Sequence, residues 1–166
     1  MFRPTLGTTL LNIAGAPKMK PERDPLLPST PTAFFIEKGH IMEFLSIRKP
    51  AKRMIALFFG PGEFVVRCHH LSELVSLDNV KGNPFTHGVI LQTLRKFPEI
   101  HLHYREMRKR YQEKVNDRLL GLQTMTDQER YQQLKTAQPW VFKLADPDDI
   151  ASYLFISRQV LQDLSK

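Results

Sequence analysis

The side chains best suited to recognise another molecule lie at the C-terminal end of this sequence. They are polar or charged and fall within ten residues: Ser157, Arg158, Gln159, Gln162 and Lys166. In a helix, these side chains would face outward, while the apolar positions between them would face inward: Val160, Leu161 and Leu164. Arginine can pair with guanine or a phosphate and glutamine with adenine, while lysine neutralises phosphates. Side chains of these types can therefore contact DNA if the segment is a helix that lies in a groove of the duplex.

Two earlier helix starts precede this segment. Thr126, with Glu129 three positions later, forms the pattern of a capping box. Pro139 ends that helix, because its ring has no N–H and disfavours helix in the residue before it. Asp146 is then suited to an N-cap and Pro147 to the first helical position of the next helix.

The helix that starts at Pro147 is predicted to bury one face and to end shortly before the last helix. The apolar residues of that face are Ile150, Ala151 and Leu154. A break follows at Phe155-Ile156, and Ser157 can cap the final helix. Two short helices joined by a tight turn are typical of a helix-turn-helix, so residues 124–166 are predicted to form such a module.

A long helix is predicted over residues 98–123, immediately before this module. Its apolar residues recur at steps of three and four, at Tyr104, Met107, Tyr111, Val115, Leu119 and Leu122. This stripe is narrow and the opposite side is strongly charged, which favours pairing with the same helix of a second copy. Packing of the stripe against the chain's own strands is the alternative.

Residues 34–97 are predicted to form short β-strands. The segments AFFIEKGHIMEFLSIR and MIALFFGPGEFVVRC each give two apolar runs separated by glycine or proline. LSELVSLDNV and FTHGVI are predicted to add another pair, and KPAKR is predicted to be a polar loop. Strands at this spacing indicate a small barrel or jelly roll.

Residues 1–33 hold six of the twelve prolines. Proline at this spacing removes backbone donors and prevents a long helix, so an irregular arm is predicted.

Composition narrows the functional class. The net charge is +7, which suggests an anionic partner, yet residues 124–166 carry five Lys and Arg against six Asp and Glu. No apolar run reaches the length of a membrane span, so we expect no membrane partner. The single cysteine, Cys68, excludes an internal disulfide and fits the cytoplasm.

No catalytic or metal motif can be assembled from the sequence. Cys68-His69-His70 are adjacent, and His101 and His103 lie two apart, which does not place them on one helical face. No Ser-His-Asp order, P-loop or GxGxxG is present. We therefore expect no enzyme activity, no metal and no cofactor.

Several motifs together resemble one known family. ERYQQL, the Pro139-Trp140 break and DIASYLFISRQVLQDLSK resemble the C-terminal module of Crp/Fnr-type transcriptional regulators. FFIEKG and FFGPGEFV resemble strands of the sensor domain of that family, a cyclic-nucleotide-binding-like β-roll. The resemblance covers about residues 34–166. It implies an α+β fold with a partial, jelly-roll-like β-roll, a long connecting helix that dimerises, and a C-terminal helix-turn-helix.

The resemblance implies a DNA-binding transcriptional regulator that acts as a homodimer on double-stranded DNA. Three positions depart from the family pattern: Phe155 stands where a glycine turns the chain, Asp163 replaces an arginine, and Val66-Arg67 replaces the Gly-Glu of a cyclic-nucleotide site. We therefore expect no classical cyclic-nucleotide site, and the effector remains unknown. The alternative is a degenerate family member that binds a ligand or a protein without specific DNA binding.

Overall fold

A computed structural model describes residues 31–48, 51–66 and 72–166, which form six β-strands and six α-helices. The strands are β1 (Pro31–Lys38), β2 (Ile41–Arg48), β3 (Ala51–Phe59), β4 (Phe64–Val66), β5 (Ser72–Ser76) and β6 (Lys81–Thr86). The helices are α1 (His87–Lys96), α2 (Ile100–Thr124), α3 (Asp127–Ala137), α4 (Val141–Leu144), α5 (Pro147–Leu154) and α6 (Arg158–Leu164).

The strands form two antiparallel sheets of three strands each. Their orders are β4-β1-β6 and β3-β2-β5. A buried apolar cluster joins side chains of both sheets, among them Phe34, Ile41 and Phe59. Two sheets packed over a shared core confirm the predicted partial β-roll and the α+β class.

The chain changes from one sheet to the other at Gly39. This residue has φ +86°, and a Cβ built on it would lie 2.7 Å from both the Asn79 carbonyl oxygen and Asp78 Oδ1. The next residue, His40, fixes the corner because its backbone N–H donates to Asp78 Oδ1 at 2.6 Å. Glycine is needed here for both its backbone conformation and its size, as the predicted turn requires.

Two strand boundaries lie earlier than the sequence predicted. β1 begins at Pro31, inside the predicted irregular arm, and residues 1–30 of that arm lie outside the described residues. The predicted loop KPAKR is partly strand, because Ala51–Arg53 pair with Ser46–Arg48 across β2 and β3. Cross-strand pairing therefore overrides the polar composition of this segment.

The prediction of a strand over FTHGVI is wrong after Thr86. β6 ends at that residue, and α1 begins at His87. Thr86 is the N-cap: its Oγ1 accepts a hydrogen bond from the Val89 N–H at 3.3 Å. A threonine cap satisfies an N–H that the start of a helix would otherwise leave unpaired, which explains the change of structure here.

Helix α2 agrees closely with the predicted long helix, and its middle packs on the roll. The Tyr111 ring lies parallel to that of Phe59, with centroids 6.3 Å apart. Tyr111 and Val115 both contact the cluster between the sheets. The middle of the apolar stripe therefore covers the chain's own roll, as the alternative interpretation stated.

The predicted helix starts of the C-terminal module are confirmed. In the capping box, Thr126 Oγ1 accepts from the Glu129 N–H at 3.3 Å, and Glu129 Oε2 accepts from the Thr126 N–H at 2.8 Å. Helix α3 ends at Ala137, shortly before Pro139, and α5 starts at Pro147. The short helix α4 between them was not predicted.

The module packs directly on the outer face of the β3-β2-β5 sheet. One apolar cluster joins roll residues to the helices, and its members are Met42, Phe44, Ile55, Phe58, Val75, Tyr131, Leu134, Val141, Ile150, Ala151, Leu154 and Leu161. Two hydrogen bonds reinforce it: the Ile55 N–H donates to Ser152 Oγ at 3.3 Å, and Gln138 Nε2 donates to the Phe58 carbonyl oxygen at 3.3 Å. The roll thus supports the helix-turn-helix directly.

Candidate nucleic-acid interface

The turn between α5 and α6 sets the direction of the last helix. Phe155 adopts the left-handed conformation, with φ 59° and ψ 42°, and is 65% exposed. The N–H of Ile156 donates to the Ala151 carbonyl oxygen at 3.0 Å, which closes the end of α5. This conformation is unfavourable for a residue with a Cβ, so the strain expected where phenylalanine replaces glycine is present.

Helix α6 has an inner side that packs and an outer side that faces solvent. Ser157 caps it, because its Oγ accepts from the Val160 N–H at 3.2 Å. Leu161 is buried, and Val160 and Leu164 are half-buried. All the predicted DNA-contacting residues are exposed, and we call them the outer face: Ser157, Arg158, Gln159, Gln162 and Lys166.

Both cations of the outer face have carboxylate partners within the chain. Arg158 Nη1 lies 3.1 Å from Asp148 Oδ2 and 3.2 Å from Asp148 Oδ1. Lys166 Nζ lies 2.8 Å from Asp163 Oδ1. These pairs are exposed and each is weak. DNA phosphates would nevertheless have to compete with the two carboxylates for these cations.

The predicted dimer-interface residues are not all on one free face of α2. Tyr111 is buried, and its hydroxyl lies 3.0 Å from both carboxylate oxygens of Glu43. Tyr111 is therefore reassigned from the predicted interface to the interior of the roll, and Val115 packs beside it. Burial of these two side chains in the apolar cluster between the sheets removes their apolar surface from water. This explains why they pack on the roll and not at the predicted dimer interface.

The other predicted dimer-interface residues differ in exposure along α2, and we call the whole predicted set the seam. Tyr104 and Met107 are half-buried and line a small apolar cavity with Phe64 and Phe85. Leu122 is half-buried, whereas Leu119 is 49% exposed. Neighbouring Leu120 is 58% exposed but was not predicted, because the three-and-four spacing passes over it. The C-terminal end of α2 is therefore the part of the seam open to a partner.

The interior of the roll contains a polar group that the sequence reading did not single out. Glu43 is fully buried and accepts hydrogen bonds from Tyr111 Oη and Ser72 Oγ. Its position could have been noticed in the sequence, because a charged residue at an inward position of the apolar strand IMEFLSIR needs hydrogen-bond partners. Arg67, which stands in the altered cyclic-nucleotide motif, lies outside the described residues.

The basic residues of α2 have different surroundings. Arg105 and Arg108 are exposed, and Lys109 and Arg110 make surface pairs with Glu113 and Glu106 at 3.5 and 3.1 Å. Lys114 and Arg118 instead face the roll and the helical module: Lys114 pairs with Glu63, and Arg118 Nη2 donates to the Tyr153 carbonyl oxygen at 3.0 Å. These two cations therefore contact the chain itself rather than only solvent.

The histidines do not form a metal centre within the described part of the chain. His101 and His103 are exposed on α2, and Cys68-His69-His70 lie outside the described residues. Residues 31–48, 51–66 and 72–166 contain no group of three or more His, Cys, Asp or Glu arranged to hold a metal ion. Over the same residues, no helix is long and apolar enough to cross a membrane.

Solved structures identify the fold. FixK2 from Bradyrhizobium japonicum superposes with a TM-score of 0.74 at 13% identity, covering 92% of this chain and 82% of that one. A protein from Eubacterium rectale described as a transcriptional regulator of the Crp/Fnr family gives 0.72 at 8% identity, covering 98% and 82%. The c-di-GMP-responsive global regulator CLP of Xanthomonas campestris gives 0.70 at 12% identity, covering 95% and 87%.

These structures share an architecture with the present chain. The chain has the Crp/Fnr-type fold, which confirms the resemblance drawn from IASYL and the roll strands. No protein-family model matches the sequence, and no curated protein matches it either.

Proposed function

We propose that the protein is a DNA-binding transcriptional regulator that acts as a homodimer in the cytoplasm. The observation that carries the proposal is the outer face of α6: a capped helix follows a tight turn and turns its polar side chains to solvent. Its inner side packs against α5 within the apolar cluster that joins the module to the roll, so the helix is presented on a rigid support. The Crp/Fnr-type fold adds to this proposal, since a helix-turn-helix places its second helix in the major groove.

The proposed contacts follow from side-chain chemistry. Arg158 would pair with a guanine or a phosphate, and Gln159 or Gln162 with an adenine. Ser157 and Lys166 would hold phosphates at the two ends of α6. Because cations that neutralise phosphates release the counterions condensed on DNA, we expect affinity to fall steeply as salt rises.

Genome-wide capture of DNA fragments by the purified protein tests this proposal. We expect recovered fragments to share two related half-sites, because a symmetric dimer presents two copies of α6. Recovery without any shared sequence would count against specific recognition, and a weak dependence on salt would count against the phosphate contacts.

Dimerisation is proposed through the C-terminal end of α2, where Leu119 and Leu120 are exposed. Sedimentation should show a dimer at micromolar concentration, and Leu120→Lys should dissociate it because a lysine buried at the interface is costly. Leu91→Lys on α1 is the matched control, since Leu91 is 41% exposed and lies on a different helix from the proposed interface. A monomeric wild-type protein would contradict the homodimer.

The second candidate function is binding of a ligand or a protein without specific DNA recognition. The pairs Arg158–Asp148 and Lys166–Asp163 favour it, because they occupy both cations of the outer face. This candidate predicts that DNA capture recovers no shared sequence, while a small-molecule or protein partner still binds.

A further inference from the structure

A cleft lies where α2, the roll, α3 and α5 meet. Its volume is about 370 Å³, within the range of sites that hold small organic molecules. It lies beyond Tyr111 along α2, so it is separate from the interior of the roll. Its lining combines apolar side chains, such as Leu57, Leu122 and Leu134, with charged ones from three of the four elements.

Cations outnumber carboxylates along the lining. Lys114, Arg118 and Arg130 line the cleft, against Glu63 and Asp117. Two of the three cations are already well supplied with partners, and the third is not. Lys114 pairs with Glu63 and Arg130 with Asp127, so the remaining formal charges of the lining are those of Arg118 and Asp117.

Arg130 has acceptors for all three of its guanidinium nitrogens. Its Nε donates to the Leu154 carbonyl oxygen at 3.1 Å, its Nη1 donates to the Met125 carbonyl oxygen at 2.6 Å, and its Nη2 pairs with Asp127. Arg130 thus ties α3 to the end of α5 and has little capacity for a ligand.

Lys114 is likewise occupied. Its Nζ pairs with Glu63 and lies 5.0 Å from the centroid of the Phe59 ring. Glu63 also accepts from the Gly60 N–H at 2.7 Å, so the carboxylate is held in place at the rim of the roll. The charges of Lys114 and Glu63 therefore cancel each other.

Arg118 is the cation with unused donors. Its Nη2 donates to the Tyr153 carbonyl oxygen, and the guanidinium lies 4.8 Å from the Tyr153 ring centroid. Its Nε is buried and has no hydrogen-bond partner among the described residues. Burial also lowers the pKa of this guanidinium, while the neighbouring Tyr153 acts in the opposite direction. A desolvated cation with an unpaired N–H is stabilised by an anionic acceptor.

We infer that the cleft binds a small organic oxyanion, a carboxylate or phosphate attached to an apolar body, with Arg118 as its main contact. The oxyanion supplies the acceptor that the guanidinium lacks, and the apolar body covers Leu57, Leu122 and Leu134. Because Arg118 also holds the backbone of Tyr153, the ligand would join α2 to α5, the first helix of the helix-turn-helix. This inference goes beyond DNA binding and does not depend on it.

The test uses the DNA-free, full-length protein with benzoate, phenyl phosphate and inorganic phosphate as probes. Each is titrated while the ¹H–¹⁵N resonance of Arg118 Nε and the thermal midpoint are followed. We expect saturable binding of at least one organic probe, with a shift of the Nε resonance and a raised midpoint. The preferred probe distinguishes a carboxylate ligand from a phosphate ligand.

Variants separate a site from a general attraction to positive charge. Arg118→Gln should weaken binding roughly 10- to 100-fold, the range expected for charge-assisted hydrogen bonds. Arg118→Lys should lose part of the affinity, because it keeps the charge but lacks the planar fork. Arg110→Gln is the matched control: Arg110 lies on the same helix, outside the cleft lining, with its side chain 74% exposed, and its loss should leave binding unchanged.

Three results would overturn the inference: no saturable binding of either organic probe at millimolar concentration, equal binding by folded Arg118→Gln, or equal affinity for inorganic phosphate. If Arg118→Gln does not fold, two measurements still test the inference: the shift of the Nε resonance in the wild-type protein and the affinity of Arg118→Lys. An unshifted resonance, or unchanged affinity of Arg118→Lys, would then overturn it.

Discussion

The inner and outer sides of the helix-turn-helix differ in what their residues contact. On the inner side, Ile150, Ala151 and Leu154 are all buried in one cluster with the roll. On the outer side, Phe155 is exposed in a strained turn, and Asp148 and Asp163 pair with the cations of α6. The segment IASYL, which carries the family resemblance, thus contributes its apolar residues to packing. Resemblance at these positions specifies the fold, whereas two of the three departures, Phe155 and Asp163, lie at the turn and on α6, which form the proposed DNA-binding surface.

The largest expected effect on stability follows from truncating a buried side chain on the inner side of the helix-turn-helix. Leu154→Ala should lower the free energy of unfolding by about 2–5 kcal/mol, because the side chain is 2% exposed and its removal leaves a cavity. Leu102→Ala on α2 should change it by less than about 0.5 kcal/mol, since that leucine is 69% exposed and lies outside the proposed dimer interface. Urea unfolding followed by circular dichroism measures both variants. Equal costs would show that the inner side is not the support described above.

Relieving the strain in the turn at Phe155 should have a smaller effect on the free energy of unfolding, and of opposite sign. Phe155→Gly should raise the free energy of unfolding by about 1 kcal/mol, because glycine adopts positive φ without the Cβ penalty. Gly62→Ala in the roll is the converse control. Gly62 has φ +83° and open space around a built Cβ, so alanine should cost about 1 kcal/mol through backbone strain alone. Thermal unfolding compares them, and a destabilised Phe155→Gly variant would show that the ring makes contacts worth more than the strain.

Releasing a cation on the outer side should strengthen DNA binding. Asp148→Asn removes the carboxylate paired with Arg158, and we expect the dissociation constant to fall roughly two- to fivefold at low salt. Glu106→Gln is the control, because it removes a similar surface partner from Arg110 on α2. Fluorescence anisotropy with a captured DNA fragment measures both. An unchanged or weakened affinity for Asp148→Asn would show that the pair does not restrain Arg158.

The smallest effect concerns pH and the capping box. Hydrogen bonds from the backbone and side chain of Thr126 lower the pKa of Glu129. A carboxyl whose pKa is depressed by folding contributes stability above its unfolded pKa and loses it as the pH falls through the folded one. Wild-type protein should therefore lose slightly more stability on acidification than Glu129→Gln, which keeps a neutral capping box. Parallel pH profiles of the two unfolding free energies would contradict this.

Local signals explain which elements could be predicted from the sequence. The capping box at Thr126, the stop at Pro139 and the start at Pro147 depend on neighbours within a few residues, and all three are confirmed. The positive φ of Phe155 was also anticipated, because the family pattern places a glycine there. Such features need no knowledge of the rest of the fold.

Contacts between distant residues could not be predicted in the same way. Tyr111 and Glu43 lie 68 positions apart and meet only when α2 packs on the roll. A helical stripe cannot by itself distinguish a partner helix from a sheet, so Tyr111 was assigned to a dimer interface. The start of α1 was missed because HGVI has strand-like composition and only the Thr86 cap reveals a helix.

The outer face of α6 is proposed to recognise DNA. The most direct measurement is the affinity of wild-type protein and Arg158→Ala for a captured site and for a scrambled sequence of equal length. We expect the variant to lose about 1–3 kcal/mol on the captured site and less on the scrambled one. Unchanged affinity and unchanged sequence preference in Arg158→Ala would contradict the claim.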